Sequence, residues 1–160
     1  MRGTAVNDSV LKLENQLCFP LYATAKAVVS RYKPFLDAID LTYTQYIAMM
    51  VLWERKSVGV KELGQSLYLD SGTLTPLLKR LESKGYIRRE RSAADERAVN
   101  ITVTAAGERL KEQAVEIPLK MGECLRLSRE EAGTLYALLY KLLGQITREA
   151  RGETEPQGKA

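Results

Sequence analysis

Apolar residues recur along most of this chain at the spacing of an α-helix, which predicts a mainly helical protein. A first helix is expected over residues 9–32, where an apolar stripe repeats about every 3.6 residues. Pro20 lies inside that stretch and predicts a kink or a later helix start, because proline lacks the backbone donor and crowds the preceding turn. A separate short helix is expected after Pro34, a residue suited to a first helical turn. The stripe consists of Leu11, Leu17, Leu21, Tyr22, Ala25, Val28 and Val29.

A capping motif and an apolar segment predict the next helix. Thr42 and Gln45 have the spacing of a capping box, and the helix should run to about Arg55. This helix is apolar on nearly all sides, which is typical of an element at the centre of a core. Its apolar residues are Tyr46, Ile47, Met49, Met50, Leu52 and Trp53.

Two short helices joined by a tight turn are predicted next. The first covers residues 60–67, and Tyr68 with Leu69 forms the connection. Asp70 or Ser71 then caps a second helix that should end near Lys84, before Gly85. The buried stripe of this second helix is expected to be Leu74, Leu77, Leu78 and Leu81.

The segment after Gly85 predicts a hairpin followed by more helix. Residues 86–91 and 98–103 read as two strands joined by a polar link, and the second strand alternates. Thr104 should cap a helix that reaches about Ile117, where Pro118 interrupts it. A second capping box at Ser128 and Glu131 opens the last helix. Its apolar residues are Leu135, Leu138, Leu139, Leu142, Leu143 and Ile146.

The order helix, tight turn, helix and hairpin is that of a winged helix-turn-helix. The predicted fold class is therefore mainly α with a small β-hairpin wing. We expect one compact domain with a DNA-binding region over residues 41–104. Residues 1–40 and 105–150 would form a helical dimerisation region, and residues 151–160 a disordered tail. The first and last helices carry more apolar surface than a monomer of this size hides easily, so dimerisation through them is expected.

The amino-acid composition excludes several kinds of catalytic and metal-binding site. The chain has 160 residues, a net charge of +4, two cysteines and no histidine. The absence of histidine excludes histidine-based triads and most zinc or iron sites, and two cysteines cannot form a four-cysteine metal site. We therefore expect no metal and no cofactor. No apolar run is long enough to span a membrane, and the N-terminus lacks the apolar core of a signal peptide, so a cytoplasmic location is expected.

Positive charge and small hydroxyl side chains coincide on the helix pair and hairpin. Residues 79–91 contain six basic and two acidic residues. Hydroxyls on the second helix of the pair suit close approach to a major groove, and an arginine at the hairpin tip suits a minor groove. A basic stretch is equally typical of a solvated surface, and this motif also occurs in proteins that bind no DNA. The candidate DNA-binding residues are Ser71, Thr73, Thr75, Pro76, Lys79, Arg80, Arg89, Asp95 and Arg97.

Residues 67–82, LYLDSGTLTPLLKRLE, followed by Asp95-Glu96-Arg97, resemble the MarR family of bacterial transcriptional regulators. Residues 13–19 and 41–46 extend the similarity to the organic hydroperoxide sensor-repressors of the OhrR type, in their two-cysteine subclass. The resemblance covers roughly residues 9–148 and implies a homodimer with interlocked terminal helices. It further implies two winged lobes that read an inverted-repeat operator in double-stranded DNA, with an organic hydroperoxide as inducer and no enzymatic activity.

The same resemblance assigns roles around the two cysteines. It implies that Cys18 is the redox-sensing thiol, that hydroxyls of Tyr32 and Tyr43 bond its sulfur across the dimer interface, and that Cys124 resolves the oxidised sulfur as an intersubunit disulfide. A free cysteine on an apolar helix face is more often a small buried hydrophobe, and the tyrosines equally suit interface packing. Capping of an oxidised Cys18 by a small cellular thiol also stays open. Pro20, two residues after Cys18, departs from the family pattern.

Three other functions compete with peroxide sensing. The first is a MarR-type repressor released by a small aromatic ligand, with no redox role for cysteine. Its pocket would be lined by Phe19, Tyr22, Tyr43, Met49, Met50 and Trp53. The second is a thiol peroxidase, although no peroxidase motif surrounds Cys18 and no CxxC occurs. The third is an architectural DNA binder with weak sequence preference and a steep salt dependence.

Overall fold

The computed structural model describes residues 8–91 and 99–150, with side chains through residue 148. The contacts divide the chain into two compact units, residues 1–121 and 122–160. Two short 3-10 turns, Asp8–Leu11 and Leu13–Asn15, precede the first helix. The helices are α1 Cys18–Asp37, α2 Tyr43–Arg55, α3 Val60–Leu67, α4 Ser71–Ser83, α5 Ala105–Ala114, α6 Ile117–Leu125 and α7 Arg129–Ala150. The strands are β1 Ser57–Gly59, β2 Ile87–Arg91 and β3 Val99–Val103.

The first helix confirms one expectation and corrects another. It begins at Cys18, so Pro20 lies in the first turn, where the absence of its N–H breaks no helical bond. The predicted separate helix after Pro34 is wrong, because α1 runs through Pro34 to Asp37. Leu36 is buried and Phe35 packs against the core. This packing continues the apolar face of α1 beyond the proline and outweighs the lost backbone bond.

Helix α2 is central to the core of the first unit, as its apolar character predicts. Thr42 and Gln45 form both reciprocal bonds of a capping box at its start. Six of its residues are buried, including Met49 and Leu52, which are completely inaccessible to solvent. The Trp53 indole N–H donates to the Gly107 carbonyl at 2.8 Å, which ties α2 to α5.

The wing is a three-stranded antiparallel sheet in the order β1-β3-β2, one strand more than the predicted hairpin. Val58 of β1 pairs with Ile101 of β3, and Ile87 of β2 pairs with Val103. Val58, Ile87 and Ile101 are buried, so one face of the sheet joins the core. The predicted link 92–97 and Ala98 lie outside the described residues.

The C-terminal helices follow the predicted interruption. Thr104 caps α5 by accepting from the Gly107 N–H, and α5 ends at Ala114. Pro118 then lies in the first turn of α6, a separate helix that the sequence pattern did not predict. In the second unit, Ser128 and Glu131 form the predicted capping box before α7. Hydrogen bonds from the Ser128 backbone N–H and hydroxyl lower the pKa of the Glu131 carboxyl.

Candidate DNA-reading surface and cysteine sites

The N-terminus of α4 is capped by Asp70. One carboxylate oxygen accepts from the Thr73 backbone N–H at 2.8 Å, and the other accepts from the Thr73 hydroxyl at 3.0 Å. The backbone bond first, and then the hydroxyl bond, hold the pKa of Asp70 below its usual range. The sequence left Asp70 and Ser71 as alternatives, and Asp70 is the cap.

Helix α4 has one buried face and one exposed face. The four predicted leucines are buried against the rest of the first unit. The candidate DNA-binding residues of α4 are all exposed: Ser71, Thr73, Thr75, Pro76, Lys79 and Arg80. The Thr75 hydroxyl donates to the Ser71 carbonyl at 2.7 Å, so its hydrogen is used within the helix. The arrangement leaves a surface of small polar groups and two cations.

Strand β2 adds three arginines to the same unit. Arg88 pairs with Glu90 at 3.0 Å, which neutralises part of this charge. Arg89 is half-buried, and its backbone N–H donates to the Glu82 carboxylate at 3.3 Å. Arg91 is exposed at the end of the described strand. Asp95 and Arg97 lie outside the described residues, so their DNA-binding roles stay predictions.

A hollow beside α4 contains residues that the sequence did not mark as functional. The start of α2 lines one side and the exposed face of α4 the other. Thr42 was recognised from its capping motif alone, and that motif gives no signal of proximity to α4. The hollow is lined by Thr42, Thr44, Gln45, Thr73, Pro76, Leu77 and Arg80.

The two candidate sensor tyrosines meet in an aromatic cluster. The rings of Tyr32 on α1 and Tyr43 on α2 lie 4.9 Å apart, and Tyr46 lies 6.0 Å from Tyr32. Burial first, and then the neighbouring Tyr43, raise the pKa of Tyr32. Burial first, and then Tyr32 and Tyr43, raise the pKa of Tyr46. The Tyr32 and Tyr46 hydroxyls therefore keep their protons at neutral pH and are available as hydrogen-bond donors.

These raised pKa values predict a loss of stability in alkali. An unfolded tyrosine titrates near pH 10, whereas Tyr32 and Tyr46 hold their protons to higher pH in the folded chain. Stability should therefore be unaffected below about pH 10 by these groups and should fall as pH rises through their raised pKa values. Urea unfolding across this range should show a shallower fall for Tyr32→Phe than for the exposed-site control Tyr68→Phe. Identical slopes would contradict the prediction.

An apolar groove runs beside Tyr43 where α1 ends and α2 begins. Its walls combine aliphatic side chains with the ion pair of Lys33 and Asp37, whose Nζ–Oδ2 distance is 2.7 Å. The groove is lined by Val29, Ser30, Lys33, Leu36, Asp37, Leu41, Thr42 and Tyr43. It offers an apolar surface next to one of the candidate sensor hydroxyls.

Both cysteines are free and exposed. Cys18 is the first residue of α1, and Cys124 belongs to α6. Within one chain, Cys18 and Tyr32 are 14 residues apart on one helix, a rise of roughly 21 Å. A hydrogen bond between them therefore requires a second copy of the chain. In a single chain Cys18 is exposed, whereas most free cysteines are buried.

The six residues considered for an aromatic-ligand pocket are divided between core and surface. Met49 and Trp53 are buried in the core, Tyr43 is half-buried, and Phe19, Tyr22 and Met50 are exposed. Among the described residues, no three His, Cys, Asp or Glu side chains form a group that could hold a metal ion. Nor does this part of the chain include a helix long and apolar enough to cross a membrane.

Comparisons with known proteins show which family the chain resembles. The family model described as "Transcriptional regulator SarA/Rot" matches residues 30–114. An organic hydroperoxide resistance transcriptional regulator of Bacillus subtilis (strain 168) is 50% identical over 133 residues, which are 83% of this chain and 90% of that protein.

Two solved structures of AbfR, a Staphylococcus epidermidis protein, are also similar. Reduced AbfR bound to DNA is 33% identical with a TM-score of 0.72, covering 88% of this chain and 98% of its own. Disulfide-formed AbfR is 33% identical with a TM-score of 0.58, covering 91% and 96%.

Proposed function

The chain belongs to the MarR-type winged-helix transcriptional regulators, and from this we propose that it is a repressor released from its operator by organic hydroperoxides. Its family and relatives are DNA-binding regulators of the OhrR type and not enzymes. The observation that carries the proposal is the accessible Cys18 thiol in a chain 50% identical to a regulator of organic hydroperoxide resistance. A regulator of this kind acts in the cytoplasm, where the DNA lies.

The proposed DNA contacts divide by chemistry. Ser71, Thr73 and Thr75 face a major groove from α4, and Lys79 and Arg80 contact phosphates or base edges. Arg89, with Asp95 and Arg97, extends the contact along the wing toward a minor groove. The similarity to reduced AbfR bound to DNA, at a TM-score of 0.72, supports DNA binding by this chain.

A homodimer is the proposed functional form. Large apolar side chains are exposed near both ends of the described chain, including Leu11, Leu13 and Leu17 before α1 and Leu138 and Ile146 on α7. Apolar surface of this extent is typical of an interface. Two copies related by a two-fold axis would present two α4 helices to successive turns of DNA, roughly 34–36 Å apart.

The sensing step uses the Cys18 thiolate as nucleophile. It attacks the outer oxygen of a hydroperoxide, the O–O bond breaks, and the alcohol leaves after taking a proton from solvent, which gives a sulfenic acid. The Tyr32 and Tyr43 hydroxyls of the partner subunit donate to the Cys18 sulfur, and the groove beside Tyr43 receives an alkyl group.

The second cysteine, Cys124, then converts the oxidised Cys18 to a disulfide. The Cys124 thiol of the partner subunit attacks the Cys18 sulfenic sulfur, a disulfide forms and water leaves. The exposed position of Cys124 on α6 supports access to this attack, and a disulfide form of the similar AbfR supports the chemistry. The linked helices then turn the two lobes out of register with the operator.

The test is an operator-binding titration with cumene hydroperoxide. The operator probe is a duplex selected from random-sequence DNA by the reduced wild-type protein. Stoichiometric oxidation should weaken wild-type binding at least about 100-fold, since a specific site is bound 10³-fold or more tighter than other DNA. Cys18→Ser should stay bound, because serine does not react with the peroxide.

The second cysteine is tested by the same titration and by mobility on a non-reducing gel. The oxidised wild type should give a dimer-sized band that Cys124→Ser lacks. Unchanged wild-type affinity after oxidation would defeat the redox switch. Release of the reduced protein by a small aromatic compound, with Cys18→Ser released equally, would assign the competing ligand-controlled function instead.

A further inference from the structure

The turn between α1 and α2 is fixed by backbone bonds and by packing. The Leu41 N–H donates to the Leu36 carbonyl at 3.0 Å, and the Ile39 N–H donates to the same carbonyl at 3.1 Å. Leu36, Ile39 and Leu41 are buried. Asp40 between them has a φ of 52°, a left-handed conformation that aspartate tolerates better than most residues. The backbone at Asp40 therefore holds one position relative to both helices.

Lys84 reaches this turn from the end of α4. Its ammonium lies 2.9 Å from the Asp40 carboxylate and also donates to the Asp40 backbone carbonyl. The Lys84 side chain is only 26% exposed, compared with 79% for Asp40, so the lysine stem is packed along the protein. The Lys84 side chain thus bonds both the carboxylate and the backbone carbonyl of a residue 44 positions away.

Both ends of this contact adjoin groups with a proposed role. Asp40 lies three residues before Tyr43, whose ring packs on Tyr32 at 4.9 Å. Lys84 caps α4, with its N–H bonded to the Arg80 carbonyl at 3.2 Å. Gly85 follows at a φ of 75° and leads into the wing. The contact therefore connects the tyrosine cluster to the point where the reading helix ends and the wing begins.

We propose that Lys84 is a positioning residue that, through Asp40, couples the tyrosine cluster to the DNA-reading surface. This inference rests on the proposed function for its direction of signalling, although the mechanical connection does not require peroxide. Because the Asp40 carboxylate is 79% exposed, the ion pair adds little to stability, and its effect should be seen in coupling and not in folding. A displacement of the α1–α2 turn would then be transmitted through the Lys84 side chain to the end of α4 and the start of the wing.

The first test measures coupling in the reduced protein by hydrogen–deuterium exchange. Binding of the selected duplex should slow exchange in the peptide covering residues 36–43 by about five-fold in the wild type, within the range of couplings that single residues carry. Lys84→Met and Asp40→Asn should reduce this protection to less than about two-fold. The control is Lys56→Met, which breaks the Lys56–Glu108 ion pair at the other end of α2 and should leave the protection unchanged.

The second test compares operator affinity before and after cumene hydroperoxide. The ratio of reduced to oxidised affinity should fall about five-fold in Lys84→Met and in Asp40→Asn, but not in Lys56→Met. Asp40→Asn removes no positive charge, so it separates coupling from a direct phosphate contact by Lys84.

The outcomes separate this inference from the proposed function. Failure of the wild type to respond to peroxide overturns the redox switch, and the exchange experiment still decides the coupling. The coupling is overturned if duplex binding does not slow exchange of residues 36–43 in the wild type. It is also overturned if binding slows this exchange equally in the wild type and in both variants. Equal loss of affinity in both redox states for Lys84→Met, with Asp40→Asn unchanged, would reduce Lys84 to a DNA-contacting cation and would also overturn it.

Discussion

Gly107→Ala should destabilise the protein by roughly 3 kcal/mol or more, because the new methyl group has no space. A Cβ at this position would lie 2.2 Å from the Tyr86 carbonyl oxygen and 2.8 Å from a Val103 methyl. The first of these atoms is backbone and cannot rotate away. The Gly107 carbonyl also accepts the Trp53 indole N–H, and its N–H donates to the Thr104 hydroxyl at 3.1 Å. Any shift of Gly107 strains the junction of α2, α5 and the wing.

Equilibrium unfolding in urea measures this effect. Gly59→Ala is the matched control, because a Cβ there meets only the Asn100 side chain at 3.9 Å, an ordinary contact. The control should lose less than about 1 kcal/mol, the scale of replacing a capping glycine. A Gly107→Ala protein as stable as the control would show that α5 moves away from Tyr86 at little cost.

The double variant Lys79→Gln/Arg80→Gln should bind the selected duplex roughly 100-fold more weakly than the wild type. Both side chains are exposed on α4, on the side opposite its buried leucines. Each direct contact of this kind contributes about 1–3 kcal/mol, and a lost phosphate contact also lowers the dependence on salt. Fluorescence anisotropy at several salt concentrations measures both quantities.

A control of equal charge separates this surface from general electrostatics. Arg109→Gln/Lys111→Gln removes the same net charge from exposed positions of α5. It should weaken binding only slightly, because distant charges are screened beyond about 10 Å at 0.1 M salt. Equal losses in the two double variants would show that α4 is not the reading surface.

Local chemistry made several elements predictable. The capping boxes at Thr42 and Ser128 form as their spacing indicates, because each needs only residues three positions apart. Gly85 ends the predicted helix with a φ of 75°, a conformation that glycine adopts without a steric penalty. These helix starts and ends place two helices before a pair of antiparallel strands, the order of a winged helix-turn-helix. The family comparisons confirm that fold class.

The errors occur where distant packing decides the local structure. Strand β1 has only three residues, too few for an alternating pattern, and it forms because β3 offers an open edge. Helix α1 continues through Pro34 because Leu36 is buried against residues far along the chain. The contact of Lys84 with Asp40 joins residues 44 positions apart, and no sequence periodicity connects them.

Parts of the candidate site were likewise predictable from local spacing, whereas other parts depend on distant packing. Residues of α4 were predictable because helical spacing separates its buried leucines from its polar face. The proximity of Tyr32 and Tyr43 depends on how α1 folds back on α2. The meeting of Cys18 with these tyrosines depends on a second chain, since roughly 21 Å of helix separates Cys18 from Tyr32 within one.

The hydroxyls of the two threonines of α4 donate hydrogen bonds within the protein. Thr73 donates to the Asp70 carboxylate, and Thr75 donates to the Ser71 carbonyl. Only lone pairs remain on these oxygens. Where such a threonine meets a base edge in the major groove, the base must supply the hydrogen, as the amino groups of adenine and cytosine do. Guanine O6 and thymine O4 are acceptors and would face another acceptor. The cap that begins the helix thereby restricts which bases its first turn can favour.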